Sequence, residues 1–348
     1  MKPVVALDLS LFAVPSTAES SSEVQDILSR IQSWASVIDR QNCTTFATLS
    51  DAVDTLRSAN CFPATHNVRA LLQLHDLDSV FSANDINTRL FSILQKAQRL
   101  SEIIGFEVVE LDASDISGTD ITKSPDLEIL KSLACLLASI ALADRSDLIR
   151  VTTAFPSDQT VEIKASVSFL ERHGNIEQCE ASVEGQVRVV GWPCDYLESL
   201  EADVVWEHAD DAVQLHLAIS LEAAKTHGLS TGELPLKGVP QFCVGSEFLP
   251  SLRSHGALSK GTLANVVRTK CSQILLSKSQ AGPKSFNESR SDDKAEAFRV
   301  HLSKDHEAFR LMYWARPDGS TEFANIGVKQ ELLICQGDFR SHAAARYS

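Results

Sequence analysis

Strand-like and helix-like hydrophobic patterns alternate along the first 150 residues, and this alternation restricts the fold more than any other feature. The apolar run from Val4 to Leu7 predicts a buried strand. The capping box formed by Ser20 and Glu23 then predicts the start of a helix. Apolar residues recur on one face of that helix over four turns, at Val24, Ile27, Leu28, Ile31, Ala35 and Ile38. Alternation of this kind is typical of helices layered on a sheet, so we expect an α/β fold.

The pattern changes after residue 150. Between residues 161 and 170, apolar and polar residues alternate, which predicts a strand with one solvent-exposed face. Segments rich in turn residues, near residues 144–158 and at 226–238, are the natural boundaries. We therefore predict an acidic α/β domain over residues 1–150, a β-rich region over 151–237 and a C-terminal module over 238–348, which together make an α+β protein.

Charge is distributed unevenly along the chain. The net charge of all 348 residues is −14. Residues 250–348 contain 15 Lys and Arg against 10 Asp and Glu, whereas the rest of the chain contains 17 basic and 36 acidic side chains. Because a basic segment attracts nucleic acid and an acidic one repels it, we expect any contact with RNA or DNA to involve the C-terminal module.

Several motifs for cofactor and nucleophile chemistry are absent from the sequence. There is no G-x-x-x-x-G-K-[ST], no G-x-G-x-x-G, no H-E-x-x-H and no G-x-S-x-G. We therefore predict no cofactor. The eight cysteines form no C-x-x-C pair, which favours free thiols and a cytoplasmic location. No apolar run is long enough to span a bilayer, so no membrane association is expected.

Two groups of acidic residues are candidate metal ligands. Asp8 follows the first predicted strand and resembles the start of PIN-type nucleases, in which Asp112 and Asp115 would be further carboxylates. A second group contains Glu207, His208, Asp210, Asp211 and His216. Carboxylates at strand ends and in turns usually cap helices or face solvent, and the second group matches no known ligand spacing. The sequence therefore predicts no metal site.

The last hundred residues have a distinctive order of elements. A short strand near residues 241–244 precedes two helices, at 246–253 and 259–276, and a polar run follows from 277 to 296. Three strand-like runs come next, at 298–302, 309–314 and 321–326. This order, with arginines inside the strands, resembles the RelE/ParE-type toxin superfamily. The resemblance implies a small antiparallel sheet that presents basic and aromatic side chains to an RNA backbone.

The resemblance assigns roles to particular residues. Arg299, His301 and Arg310 become the candidate catalytic residues, because guanidinium groups bind phosphate and an imidazole can move a proton. The candidate nucleic-acid contacts are Lys284, Arg290, Lys294, Tyr313 and Lys329. We expect the polar run to be a mobile loop that carries the first three of these contacts. Family members often have a His or Tyr at the end of the last strand, where this chain has Lys329.

Two functional hypotheses remain open. In the first, the protein is a nucleic-acid-directed effector or accessory subunit of a bacterial phage-defence or toxin–antitoxin-like system, with an RNA-cleaving module as one form of it. In the second, it is a non-catalytic subunit of a defence complex that binds a protein encoded nearby, and its toxin-like fold has lost its chemistry. The sequence does not decide whether the protein is an enzyme.

Overall fold

A computed structural model describes residues 2–13, 20–40, 44–117, 126–154, 159–171, 178–229, 231, 236, 238–276, 283–302, 308–331 and 333–337. These residues form helices and two mixed sheets, which confirms the α/β class. The chain divides into two compact units. We call Pro3–Tyr196 the N-terminal unit, and Leu197–Ser348 with the first two residues the C-terminal unit. Among the described helices, none has the length and apolarity that crossing a bilayer requires.

The N-terminal unit is built around a seven-stranded sheet. Its strands are β1 (Val4–Leu7), β2 (Thr45–Thr48), β3 (Gln98–Arg99), β4 (Phe106–Ser117), β5 (Ile149–Thr152), β6 (Gln159–Glu171) and β7 (Gln178–Val190). They lie in the order β3-β2-β1-β5-β7-β6-β4. The first five strands in that order are parallel to one another, whereas β6 runs antiparallel to both β7 and β4.

Helices connect and cover these strands. They are α1 (Ser21–Arg40), α2 (Ala52–Ser58), α3 (Thr65–Leu74), α4 (Ala83–Lys96), α5 (Leu100–Ile104) and α6 (Leu127–Leu142), with a 3-10 turn at Leu9–Leu11. The predicted apolar face of α1 is buried, as is every residue of β1, so both local predictions are confirmed. Helix α7 (Pro193–Ser199) crosses the boundary between the two units.

The compact units divide the chain differently from the boundary expected near residue 150. Strand β5 pairs with β1 over its whole length, from Ile149 opposite Val4 to Thr152 opposite Leu7. Strands β6 and β7 extend the same sheet. The strand signals after residue 150 therefore complete the N-terminal sheet, and the first compact unit ends at Tyr196.

The described part of the C-terminal unit combines helices with a five-stranded sheet. Its elements in chain order are α8 (Ala202–Glu207), α9 (Ala212–His227), β8 (Phe242–Val244), α10 (Phe248–Ser254), α11 (Thr262–Leu275), β9 (Lys284–Ser289), β10 (Glu296–His301), β11 (Phe309–Ala315) and β12 (Thr321–Val328). The sheet order is β8-β12-β11-β10-β9. Strand β8 is parallel to β12, and the other neighbours are antiparallel.

One difference from the predicted order of the C-terminal module is strand β9. It lies inside the polar run 277–296, which we expected to be a mobile loop, and it pairs with β10 through Lys284 opposite Arg299. Residues 290–295 then connect the two strands as a turn, while residues 277–282 lie outside the described part of the chain. The loop prediction is therefore wrong for Lys284–Ser289, which form the edge strand β9.

The two faces of the five-stranded sheet have different surroundings. Helix α10 packs on one face, where Phe248 stacks on Phe323 of β12 with 5.8 Å between ring centroids. One end of the opposite face carries a small hydrophobic core, which consists of Ala295, Ala297, Met312, Trp314, Ala324 and Ile334. The indole Nε1 of Trp314 donates a hydrogen bond to the carbonyl oxygen of Cys335 at 2.9 Å. The segment after β12 thus covers one end of this second face.

Candidate nucleic-acid interface

The other end of the second face carries positively charged residues. The strand register places His301 opposite Arg310 and Arg299 opposite Met312. Lys284 of β9 lies opposite Arg299, and Lys329 follows the end of β12. Five of the eight predicted site residues therefore come together here. We call Lys284, Arg299, His301, Arg310 and Lys329 the basic cluster.

The cations of the cluster act on the imidazole of His301. Partial burial lowers the pKa of the His301 imidazole, and the charges of Arg310, Lys284, Lys329 and Arg299 lower it further. The imidazole is exposed. It is therefore neutral at pH 7 and sits in a positive field. Such a group can accept a proton from a substrate bound among the cations.

Arg310 is the member of the cluster whose buried hydrogen-bond donors lack acceptors. Its Nε and Nη1 atoms are buried and have no hydrogen-bond partner within the described structure. Burial and the charge of Arg299 lower the pKa of its guanidinium. Buried donors without acceptors are unfavourable, and each of these two nitrogens, on different edges of the guanidinium, can donate to an oxygen of a bound anion. Arg310 is therefore a cation of the cluster with buried donors that the described structure does not use.

The strand opposite Arg310 contributes a residue without a side chain. Gly327 of β12 is the cross-strand neighbour of Arg310. A Cβ atom at Gly327 would lie 2.6 Å from a carboxylate oxygen of Glu331 and 3.1 Å from the terminal methyl of Met312. The absence of a side chain at Gly327 lets the Glu331 carboxylate and the Met312 methyl pack closely beside Arg310.

Arg299 is held by an aromatic ring that we did not predict as part of the site. Its guanidinium lies over the ring of Phe286 on β9, 4.8 Å from the ring centroid. Stacking of this kind orients the guanidinium plane and leaves its N–H groups free to contact an anion. The sequence signal for this contact was a single aromatic residue within an otherwise polar run.

Arg290 does not belong to the basic cluster, because its guanidinium is fully engaged inside the unit. Nε and Nη2 donate to the carboxylate of Asp293 at 2.9 and 2.6 Å. Nη1 and Nη2 donate to Glu322 at 3.1 and 2.8 Å, and Nη1 also donates to the carbonyl oxygen of Gln336 at 2.6 Å. All five donors are used. The predicted phosphate contact of Arg290 is contradicted by this geometry.

Arg290 and its carboxylate partners stabilise each other in their charged forms. Burial alone would lower the pKa of Arg290, but hydrogen bonds to Asp293 and Glu322 outweigh it and raise the pKa. The same contact lowers the pKa of Asp293 to about 2. The guanidinium also lies over the ring of Trp314 at 5.1 Å. Arg290 is therefore a structural residue of the covered end of the sheet.

Two further predicted contacts lie away from the basic cluster. Tyr313 is buried on the face that α10 covers, where its ring stacks on Phe298, and burial raises its pKa to about 12. It cannot serve as a base-stacking platform. Lys294 is exposed in the turn between β9 and β10, at the opposite end of these strands from His301.

The carboxylates considered as metal ligands are not assembled in this way. Three strands, β5, β7 and β6, lie between β1, which Asp8 follows, and β4, which contains Asp112 and Asp115. At about 4.8 Å per strand, β1 and β4 are about 19 Å apart. Asp8 therefore belongs to a different part of the sheet from Asp112 and Asp115.

The second group of candidate ligands has structural roles. Asp211 caps α9 by accepting from the amide of Gln214 at 2.9 Å, and His216 stacks on Phe242 at 3.9 Å. The remaining acidic members form ion pairs, Glu207 with Lys260 and Asp210 with Arg253. Over the described residues, no three His, Cys, Asp or Glu side chains are grouped to hold a metal.

Comparison of the chain with protein-family models, with curated proteins and with solved structures found no significant match. The RelE/ParE resemblance therefore stays a prediction from element order and strand arginines. The candidate site rests on the geometry of the basic cluster.

Proposed function

We propose that the C-terminal unit binds nucleic acid through its phosphate backbone, with the basic cluster as the contact surface. The observation that carries this proposal is the pair of buried Arg310 nitrogens without a partner in the described structure, in a cluster with three other cationic side chains. A phosphate oxygen would satisfy donors that the protein itself leaves without acceptors. Lys284 and Lys329 are exposed at the margin, where they can follow a charged backbone.

We place this binding in a nucleic-acid-directed effector or accessory subunit of a bacterial phage-defence or toxin–antitoxin-like system that acts in the cytoplasm. The support for this context is the sequence resemblance, which rests on a strand, two helices and antiparallel strands with internal arginines. The surplus of basic residues after residue 250 supports the same placement.

RNA cleavage is the catalytic form of the proposal. A neutral His301 beside Arg310 could accept the proton of a ribose 2′-hydroxyl, while the arginines stabilise charge on the phosphate. Incubation of labelled single-stranded RNA with wild-type protein and with His301→Gln tests this step. Loss of cleavage in His301→Gln with RNA binding retained would support a catalytic His301. Wild-type protein that binds RNA without cutting it would refute the cleavage proposal.

A non-catalytic role in binding a protein partner is the second candidate function. The observation that favours it is the burial of Tyr313, which removes the aromatic platform expected for stacking bases. The basic cluster would then contact an acidic surface of a protein encoded nearby. Failure of the full-length protein to bind RNA or DNA at low salt, together with co-purification of such a partner, would favour this function.

Replacing Arg299 or Arg310 with alanine should weaken nucleic-acid binding about tenfold to hundredfold, because each loses a charge-assisted phosphate contact. Lysine at either position should restore binding only in part, since it cannot make a two-pronged contact. Fluorescence anisotropy of the full-length protein with a labelled 20-nucleotide RNA, measured over a series of salt concentrations, gives both the affinity and its salt dependence.

Lys294→Asn provides the matched control for this experiment. Lys294 is exposed on the same sheet but lies away from the basic cluster, and asparagine tolerates its positive φ of 62°. Its affinity should remain within about twofold of wild type. Folded Arg299→Ala and Arg310→Ala proteins that bind as tightly as wild type would show that the basic cluster is not the contact surface.

A further inference from the structure

Two arginines of the C-terminal sheet lie over aromatic rings. The guanidinium of Arg290 lies 5.1 Å from the centroid of the Trp314 ring, and that of Arg299 lies 4.8 Å from the centroid of the Phe286 ring. Arg290 uses all of its N–H donors inside the unit. Arg299 has no hydrogen bond or ion pair with any of the described residues. The first pair is therefore structural, whereas the second keeps its donors available to a ligand.

Phe286 is anchored in the sheet. Its ring is half-buried on the edge strand β9 and packs against the small hydrophobic core that includes Met312 and Trp314. The attraction between a guanidinium and the face of a ring favours stacking, so an anchored ring also holds the guanidinium that lies over it. Arg299 is thus positioned before any ligand binds, which lowers the entropy that binding must overcome.

A planar guanidinium has two faces and a rim of N–H groups. Phe286 occupies one face of the Arg299 guanidinium. Arg299 is only partly buried, so its side chain also contacts solvent. Proteins that bind single strands stack unpaired bases on aromatic rings and on guanidinium planes. The second face of Arg299 therefore suits a nucleobase, while its N–H groups can still donate to a phosphate.

The surroundings of Arg299 suit a nucleotide better than an isolated anion. Lys284 lies opposite Arg299 on β9 and is exposed, so it can contact the phosphate next to a stacked base. Tyr313, the aromatic residue expected to stack bases, is buried on the other face of the sheet. Phe286 and Arg299 can take over the role that the burial of Tyr313 leaves open.

We propose that Phe286 and Arg299 form a stacking platform for an unpaired nucleobase, so that the basic cluster binds a single strand of RNA or DNA. This inference rests on the proposed function, because it names the class of nucleic acid that the same surface binds. Every nucleobase has a π face, so the platform should accept any base. The bases of a duplex are stacked inside the helix and do not reach such a platform.

A strand without bases tests the platform. Fluorescence anisotropy compares how the full-length protein binds a labelled oligothymidylate of about 20 nucleotides and an abasic tetrahydrofuran strand of equal length, which carries the same phosphates. Wild-type protein should bind the strand with bases about fivefold to hundredfold more tightly, which is the effect of stacking one base. Equal affinity for both strands would refute the platform and leave the phosphate-contact surface in place. Failure to bind either strand would refute the proposed function, and this inference with it.

Substitutions locate the platform. Phe286→Leu removes the ring but keeps an apolar anchor, and Arg299→Lys keeps the charge but not the planar group. Both variants should bind the two strands with about the same affinity, whereas Phe286→Tyr should keep the preference for the strand with bases. Arg299→Lys keeps the test valid if Phe286→Leu does not fold. A preference for bases that persists in folded Phe286→Leu and Arg299→Lys would place the stacked base elsewhere and refute the platform.

Discussion

Replacing Glu322 with glutamine is expected to destabilise the C-terminal unit by about 3–5 kcal/mol, because it breaks a buried ion-pair network. The Glu322 carboxylate accepts hydrogen bonds from Arg290 at 2.8 Å and from Arg316 at 2.6 Å, and its side chain is 2% exposed. Glutamine fills the same space but removes the charge that the two guanidinium groups share, so Arg290 keeps only Asp293 as a counter-charge and Arg316 loses its 2.6 Å ion pair. Urea unfolding of the full-length protein measures the loss, and hydrogen exchange of peptides from β10 to β12 localises it.

Glu296→Gln is the matched control for this prediction. Glu296 is an exposed carboxylate on β10 of the same sheet, so its neutralisation should change the free energy of unfolding by less than about 0.5 kcal/mol. A loss below about 1 kcal/mol in Glu322→Gln would mean that water reaches the network and that Arg290 is not held as described.

Local hydrophobic patterns were sufficient to predict the type and the buried face of elements such as β1 and α1. The apolar run of β1 and the periodic face of α1 predicted a strand and a helix, and both faces are buried as expected. These two predictions required no knowledge of distant contacts. That Arg299 and Arg310 share a face follows from the pairing of β10 with β11, which the sequence does not specify.

The features that the sequence did not predict depend on pairing between strands that are not recognisable from local patterns. The pairing of β5 with β1 joins segments about 145 residues apart, so nothing local to residue 150 shows that the same sheet continues. Strand β9 has a polar sequence because it is an edge strand, and its pairing with β10 rather than an apolar pattern defines it. A polar edge strand and a loop look alike in sequence.

Contacts between residues distant in sequence also explain why some predicted site residues lie in the basic cluster and others do not. Arg290 is close in sequence to Lys284 and Lys294 and has the same charge, but its partner Glu322 is 32 residues away on another strand. Tyr313 lies on the face opposite Arg310, because the two residues are an odd number of positions apart on one strand, but the sequence does not show that α10 covers that face. Whether a charged or aromatic side chain is exposed depends on what packs over it.

Acid sensitivity of the C-terminal unit should depend on His216. Its ring stacks on Phe242 with centroids 3.9 Å apart, and burial lowers its pKa to about 4, against a hydrogen bond to the backbone of Phe242. The unfolded chain binds the proton with an ordinary pKa near 6.5, so protons favour the unfolded state between these two values. The stabilising effect of the neutral ring is complete at pH 7.5 and falls as the pH drops, with a loss of about 2.5 kcal/mol by pH 4.5.

His216→Phe removes this titration and keeps the aromatic stacking on Phe242. We expect the variant and wild type to have similar free energies of unfolding at pH 7.5, and the variant to be more stable by about 2.5 kcal/mol at pH 4.5. His227→Gln, on the same helix, is the control and should retain the acid sensitivity of wild type. Urea unfolding at pH 7.5, 6, 5 and 4.5, followed by hydrogen exchange in α9 and β8, separates this effect from carboxylate titration elsewhere. If His216→Phe loses as much stability as wild type across this range, then the imidazole can be protonated within the folded unit, and another group sets the acid sensitivity.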